Sequence, residues 1–259
     1  MKEWATRLDE INNLTADNLI NDLDKNVLRI YLNLYKSTLT ELLKIYADLQ
    51  ENPMSRSTLY NYKHYYQFHN QLVKKLTEMG IKLNNMYTET LTEAYTQVQL
   101  NIKEVLPSSN IIDNVVPLAK VTQVLNTDWV GDGKTYSMRI WKNQDLLLES
   151  IERGINECVV RGDNKDQWIQ RLMDEFNTGH YNAKRLAVTE IMRAMTQGAL
   201  DRYKELGIKE VEILTAEDEK VCEHDKEFNH KKVPIDLAVP GKNVPCFHPN
   251  CRCTIIPVL

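Results

Sequence analysis

Glycine and proline are scarce in this chain, with 9 and 8 among 259 residues. That leaves little room for the turn-rich connections of an all-β fold. Only 5 cysteines are present, an odd number, and four of them lie beyond residue 220. A secreted disulfide framework is therefore not indicated; metal ligation or burial is the better starting point. No apolar run approaches the roughly 18 to 20 residues that span a bilayer. The opening "MKEWATRLDEINNL" has no apolar core of the secretory type, so the expectation is a protein made and kept in a reducing cytoplasm. A net charge of −4 gives no general attraction to nucleic acid or anionic membrane, and no run of five basic residues supplies a local one.

What remains is helical periodicity. From Thr15 to Gln50, apolar residues recur at spacings of three and four: Ile20, Leu23, Val27, Ile30 and Leu34, then Thr38, Leu42, Ile45 and Leu49. "ENP" (Glu51 to Pro53) stops this helix. A second stripe opens near Ser55 and runs to Leu106 through Leu59, Tyr62, Tyr66, His69, Val73, Leu76, Leu83, Met86, Leu91, Ala94, Val98, Ile102 and Val105. Unbroken, about 49 residues at about 1.5 Å each give a rod on the order of 70 Å long. Two such helices joined by a short turn predict an antiparallel hairpin. The tyrosine-rich "LYNYKHYYQFH" reads as packing between them, because stacking surfaces for bases carry more Lys and Arg. His64 and His69 read as ordinary helix-face residues.

The pattern breaks from Pro107 to Gly133, where turn formers gather in "NTDWVGDGKTY". The expected organisation is a long-helix region over 1–110, a connector over 111–133 and a second domain over 134–259. Three helices are expected in the last, over 137–160, 164–176 and 182–206, with Gly207 capping the third. Trp129, Trp141 and Trp168 are its candidate core anchors. Beyond Lys209 the period becomes two: "KEVEILTA" and the final "RCTIIPVL" predict strands that pair with each other. The fold class is therefore mainly α, ending in a small β-hairpin around a Cys/His-rich loop.

That loop holds the chemistry. Its candidate ligands are Cys222, His224, Asp225, His230, Cys246, His248, Cys251 and Cys253. Structural zinc takes four tetrahedral donors, commonly two from each short hook. "VCEHD" offers Cys222 with His224 or Asp225, and "HPNC" offers His248 and Cys251 on a turn stiffened by Pro249. A metal-free knob and a disulfide are the competing readings of the same residues. Glu190 and Arg193 stand three apart on a helix and can pair. With Arg185 they are expected to orient the tail against that helix, and Asp218 is expected to cap the turn in "AEDEK".

Four pieces in order, "YSMRIW", "AKRLAVTEIMRA", "TAEDEKVCEHDKEFNH" and "HPNCRCTIIP", resemble the phage minor head protein family, the Mu F-like head morphogenesis proteins of tailed bacteriophages. The resemblance covers roughly 128–259. It implies a structural virion component in few copies, associated with the portal vertex of the procapsid and with other capsid or scaffold proteins. It also implies contact with packaged double-stranded DNA in some members, localisation inside the head, and no catalysis. Where that family usually has a second cysteine, three residues after the first, this chain has Asp225. One structural zinc would then use Asp225 or His224 in its place, or the clasp closes without metal. No phosphate-cradling loop or nucleophile elbow is present in the sequence. A small metal-dependent nuclease or toxin-like domain, and a zinc-knob DNA-binding adaptor, are the alternatives.

Overall fold

A computed structural model describes residues 3–51, 63–106, 117–215 and 222–259. Its elements in chain order are α1 (Glu3–Glu51), α2 (Lys63–Val105), α3 (Leu118–Leu125), α4 (Tyr136–Arg161), α5 (Lys165–Glu205), β1 (Glu210–Leu214), α6 (Glu223–Lys226), β2 (Lys232–Pro234) and β3 (Thr254–Pro257). The mainly helical class with a β end is as expected.

Two compact units divide the chain. One combines residues 1–24, 86–137 and 185–259; the other combines 25–85 and 138–184. Within the first, the start of α1 runs beside the end of α2. Arg7 Nη2 meets Glu104 Oε1 at 2.8 Å, and buried Asn101 donates to Asn12 Oδ1 at 3.0 Å. Within the second, His64 Nδ1 lies 2.7 Å from Asp48 Oδ2. In the first unit the two helices thus run in opposite directions.

Helix α1 begins at Glu3, twelve residues before the expected start at Thr15. Its buried stripe already includes Ala5, Leu8, Asn12 and Ala16. Asn12 interrupts the apolar pattern in the sequence, but its side-chain oxygen accepts from Asn101 Nδ2. Downstream the stripe is Leu23, Val27, Tyr31, Leu34, Thr38, Leu42, Ile45 and Leu49, close to expectation, with Tyr31 rather than Ile30 at its centre. In α2 the expected register is off by one at the start. Tyr65, Phe68 and Leu72 are buried, whereas Tyr66 is 62% and Val73 37% exposed. From Leu76 onward the expected positions hold except Met86, which is half-buried beside fully buried Tyr87, and Leu59 and Tyr62 lie outside the described residues.

Lys165–Glu205 form one helix, α5, where two were expected over 164–176 and 182–206. "NTGHYN" looks like a break in the sequence, yet it contains no proline, and Gly179 is where the Tyr31 ring packs. A Cβ there would lie 2.9 Å from Tyr31 Cε1. Close packing thus outweighs a weak helix propensity. The helix opens on a reciprocal cap: Asn164 Oδ1 accepts from Gln167 N at 3.1 Å, and Gln167 Oε1 accepts from Asn164 N at 2.7 Å. It closes as expected at Gly207, whose φ of +70° lets Ile208 N return to Tyr203 O at 3.0 Å.

The predicted pairing of the two strands is present. β1 and β3 are antiparallel, with Ile213 opposite Ile255, and β2 adds a third strand on the other edge, with Val211 opposite Val233. That strand is too short to show periodicity in sequence. The sheet order β2–β1–β3 brings Leu214 and Ile256 against Ala5 and Trp4 of α1. Thr254 Oγ1 donates to Asp9 Oδ1 at 2.6 Å, tying the last strand to the first helix.

Candidate metal clasp and its buried anchor

The first hook starts at Cys222, the N-cap of α6, whose sulfur accepts from Asp225 N at 3.3 Å. One helical turn then brings Asp225 back over Cys222, and its side chain is buried. The second hook is the turn at "HPNC". Cys251 N returns to His248 O at 3.2 Å, and Asn250 takes a left-handed φ of +63°, which asparagine tolerates better than most residues.

Asp225 is where the hooks meet. Its Oδ2 lies 2.8 Å from His248 Nε2, accepts from Cys253 Sγ at 3.3 Å and from Cys251 Sγ at 3.6 Å. Cys222 Sγ lies 3.3 Å from His248 Nε2. Two overlapping donor groups result, Cys222–Asp225–His248 and Asp225–Cys251–Cys253, each with its donor atoms within 4.8 Å of one another. Asp225 Oδ1 is buried and has no hydrogen-bond partner among the described residues. Thiols, an imidazole and an unsatisfied carboxylate oxygen on two short hooks form a donor set that can hold a metal ion.

Electrostatics follow from the same contacts. Burial alone would raise the Asp225 carboxyl, but bonds from Cys253 and His248, with the His248 charge, leave it below the usual range. Burial likewise works to lower His248, and its bonds to Pro249 O and Asp225 outweigh that and raise it. The Cys251 thiol is lowered by the bond from Cys253. Cys253 is correspondingly raised by its bond to Cys251 and by burial.

Other candidates are placed differently. His224 is exposed; its ring stacks against Phe228 and Phe247 at centroid distances of 5.1 and 5.6 Å, and its Nδ1 is 3.6 Å from Asp225 Oδ1. His230 Nδ1 meets Glu212 Oε1 at 2.8 Å on the neighbouring strand. Cys246 is fully buried, its Sγ directed at Thr189 O at 3.8 Å, and burial raises its thiol well above the usual range. Asp218 lies outside the described residues.

A buried ion pair stands behind the clasp. Arg193 Nε donates to Glu190 Oε2 at 3.0 Å, with both side chains no more than 3% exposed. Trp129 Nε1 donates to the other oxygen, Glu190 Oε1, at 3.2 Å. The remaining guanidinium hydrogens go to Val124 O at 3.2 and 3.3 Å and to Leu125 O at 3.4 Å. These are last-turn carbonyls of α3, which lack partners within the helix. Of the three residues Arg185, Glu190 and Arg193, the last two are brought together, and Arg185 stands apart: its side chain is exposed, and its carbonyl accepts from Thr189 Oγ1 at 2.7 Å. The direct fastening of the tail is Thr189, whose Oγ1 accepts from Asn250 N at 3.1 Å. In the sequence Thr189 is one threonine beside a charged pair, and nothing marks it out.

Trp129 is positioned by the loop that carries it. Asp128 carboxylate oxygens accept from Gly131 N at 2.8 Å and Gly133 N at 2.6 Å, closing "DWVGDG" on itself. Gly241 comes so close that a Cβ there would lie 3.0 Å from the Trp129 ring. Trp168 is the fully buried anchor among the three tryptophans, while Trp141 is 37% exposed and covers Gly80.

Residues 149–256 match the family described as "Phage Mu protein F like protein". The matched span includes the clasp, Thr189 and the Glu190–Arg193 pair. The resemblance read from the four sequence pieces is therefore supported over this span. The chain is also similar to a protein of Enterococcus faecalis (strain ATCC 700802 / V583) named NAD(+)--arginine ADP-ribosyltransferase EFV. The two are 24% identical over 250 residues, covering 88% of this chain and 50% of the relative. The chain thus spans about half the length of the curated relative it matches. No solved structure matches.

Proposed function

We propose that the protein is a structural component of the head of a tailed bacteriophage or prophage: a minor capsid protein acting in head morphogenesis at or near the portal vertex. The observation that carries this reading is the family match over 149–256, which falls on the clasp and on the helix that fastens it. In this reading 134–259 is the head morphogenesis module and Cys222, Asp225, His248 and Cys251 hold one structural zinc. Glu190, Arg193 and Thr189 anchor the closed tail. Zinc there would crosslink two hooks and contribute folding energy directly.

The long helices are the surface offered to portal, capsid or scaffold proteins. Leu14, Leu28, Leu32, Ile81 and Leu100 are 40% or more exposed on α1 and α2, which suits helix-to-helix docking. Packaged double-stranded DNA is a secondary contact in this reading, because a net charge of −4 gives no strong phosphate-binding face. No helix among the described residues is long and apolar enough to cross a membrane.

Disrupting the gene in the phage genome that carries it, then imaging the lysate by electron microscopy, tests the assignment. Malformed or DNA-free heads are expected. Normal infectious particles would refute it. The activity named for the Enterococcus relative makes a second test worthwhile: the purified chain, with NAD(+) and an arginine acceptor, should form no ADP-ribosyl-arginine. Formation of that product would move the chain into the enzyme class.

A further inference from the structure

We propose that one water molecule is a fixed internal part of this protein, held where α1, α5 and β3 meet and completing a polar network buried in the first unit. The site is a cavity of about 20 Å³. Its polar lining is Asn12, Thr196 and Thr254, and Met192, Met195 and Ile255 form much of the rest. All six residues belong to the first unit. One water needs roughly 10 to 15 Å³, so there is space for one and not for a pair.

Each polar residue arrives with hydrogen-bonding capacity left over. Gln97 Nε2 donates to Asn101 Oδ1 at 3.1 Å, and Asn101 Nδ2 donates to Asn12 Oδ1 and Thr15 Oγ1, both at 3.0 Å. That chain fixes which end of the Asn12 amide is oxygen. It leaves the Asn12 Nδ2 hydrogens without an acceptor among the described residues. Asn12 is 5% exposed and Thr196 4%, so bulk solvent does not serve either group. Thr15, Thr92, Thr96 and Thr189 each return the hydroxyl to the carbonyl four residues back. Thr196 makes no such bond, and its hydroxyl has no partner among the described residues. Thr254 Oγ1 gives its hydrogen to Asp9 Oδ1 at 2.6 Å, which leaves its lone pairs to accept.

A water in the cavity therefore accepts from Asn12 Nδ2 and Thr196 Oγ1 and donates to Thr254 Oγ1. Three bonds are the usual number for a buried water. Two buried donors that would otherwise carry a desolvation cost are satisfied together. An amide and two hydroxyls, all neutral, suit water and not a metal ion or an anion. The bridge joins the α1–α2 network to the last strand and to α5, the helix that carries Thr189, Glu190 and Arg193.

Oxygen-17 relaxation dispersion of water in a solution of the full chain counts long-lived internal waters without reading the exchangeable hydrogens of the protein. Thr196→Val keeps the side-chain shape and removes the hydroxyl, and should lower the count by one. Thr196→Ser should leave it unchanged. An equal count in the wild type and a folded Thr196→Val variant would overturn the proposal. A high-resolution crystal structure of the wild type decides the matter without any variant. Density for one water within about 3.2 Å of both Asn12 Nδ2 and Thr196 Oγ1 is expected. A cavity closed by the Met192 or Met195 side chain, or one free of density, would overturn it.

Discussion

Replacing Arg193 by methionine should be among the most damaging single changes in the chain. The side chain is 3% exposed and makes four hydrogen bonds: one to Glu190 Oε2 and three to carbonyls of Val124 and Leu125. Methionine fills a similar volume but donates none of them. Glu190, 1% exposed, is then a buried carboxylate held only by Trp129 Nε1, and the end of α3 loses its cap. Removing one partner of a buried pair costs about 3 to 5 kcal/mol. Removing both should cost less. Glu190→Met with Arg193→Met takes the unpaired charge away and leaves Trp129 Nε1 and Leu125 O without these partners, while Val124 O keeps Thr127 N at 3.2 Å, at about 1 to 3 kcal/mol for each group left unpaired. Urea unfolding followed by tryptophan fluorescence and by far-UV circular dichroism measures both variants, with unchanged slope as the check that only stability moved. An Arg193→Met cost under about 1 kcal/mol, or a double variant worse than the single one, would refute the reasoning.

Three further outcomes are expected. Thr189→Val removes the acceptor of Asn250 N, so amide exchange of residues 246–253 should speed up while global stability falls by about 1 to 2 kcal/mol; unchanged exchange in the tail would remove Thr189 from the fastening. Gly198→Ala places a Cβ 2.6 Å from Tyr95 O and 2.7 Å from Val98 Cγ1, both on packed α2, so a loss of about 1 to 3 kcal/mol is expected in thermal unfolding, and a neutral result would show that α2 and α5 can part there. Burial pushes the Tyr31 hydroxyl up from 10 to about 12, against a smaller downward pull from Gln144. A folded value above the unfolded one means this stability is complete below pH 10 and is lost as pH rises from 10 toward 12. Tyr95 and Tyr203 are raised in the same direction, so Tyr31→Phe should flatten the alkaline fall in stability without abolishing it, and an unaltered slope would contradict the burial.

Much of this molecule is legible in its sequence because long amphipathic helices repeat their signal many times. Most of the expected positions in α1 and α2 survive a one-residue slip at Tyr65 and a polar interruption at Asn12. Local breakers mislead where packing decides: Gly179 sits inside α5 because Tyr31 needs the space. Helix α3 falls in the expected connector, since eight residues give barely two turns of periodicity. In the clasp, residue types pointed to the right loop, but chemistry alone does not say which way a side chain faces. His224 turns to two phenylalanines, and Cys253 reaches the carboxylate instead. Arg185, Glu190 and Arg193 look equivalent along the chain, yet at 3.6 residues per turn Glu190 and Arg193 share a face that Arg185 leaves. Thr189 carries no signal at all, because its partner Asn250 is 61 residues away.

Quantitative mass spectrometry of purified phage particles, with heads separated from tails, tests the central claim most directly. The account predicts peptides of this chain in the head fraction, at a few copies per particle. Absence from the particles, or recovery with the tails alone, would contradict it.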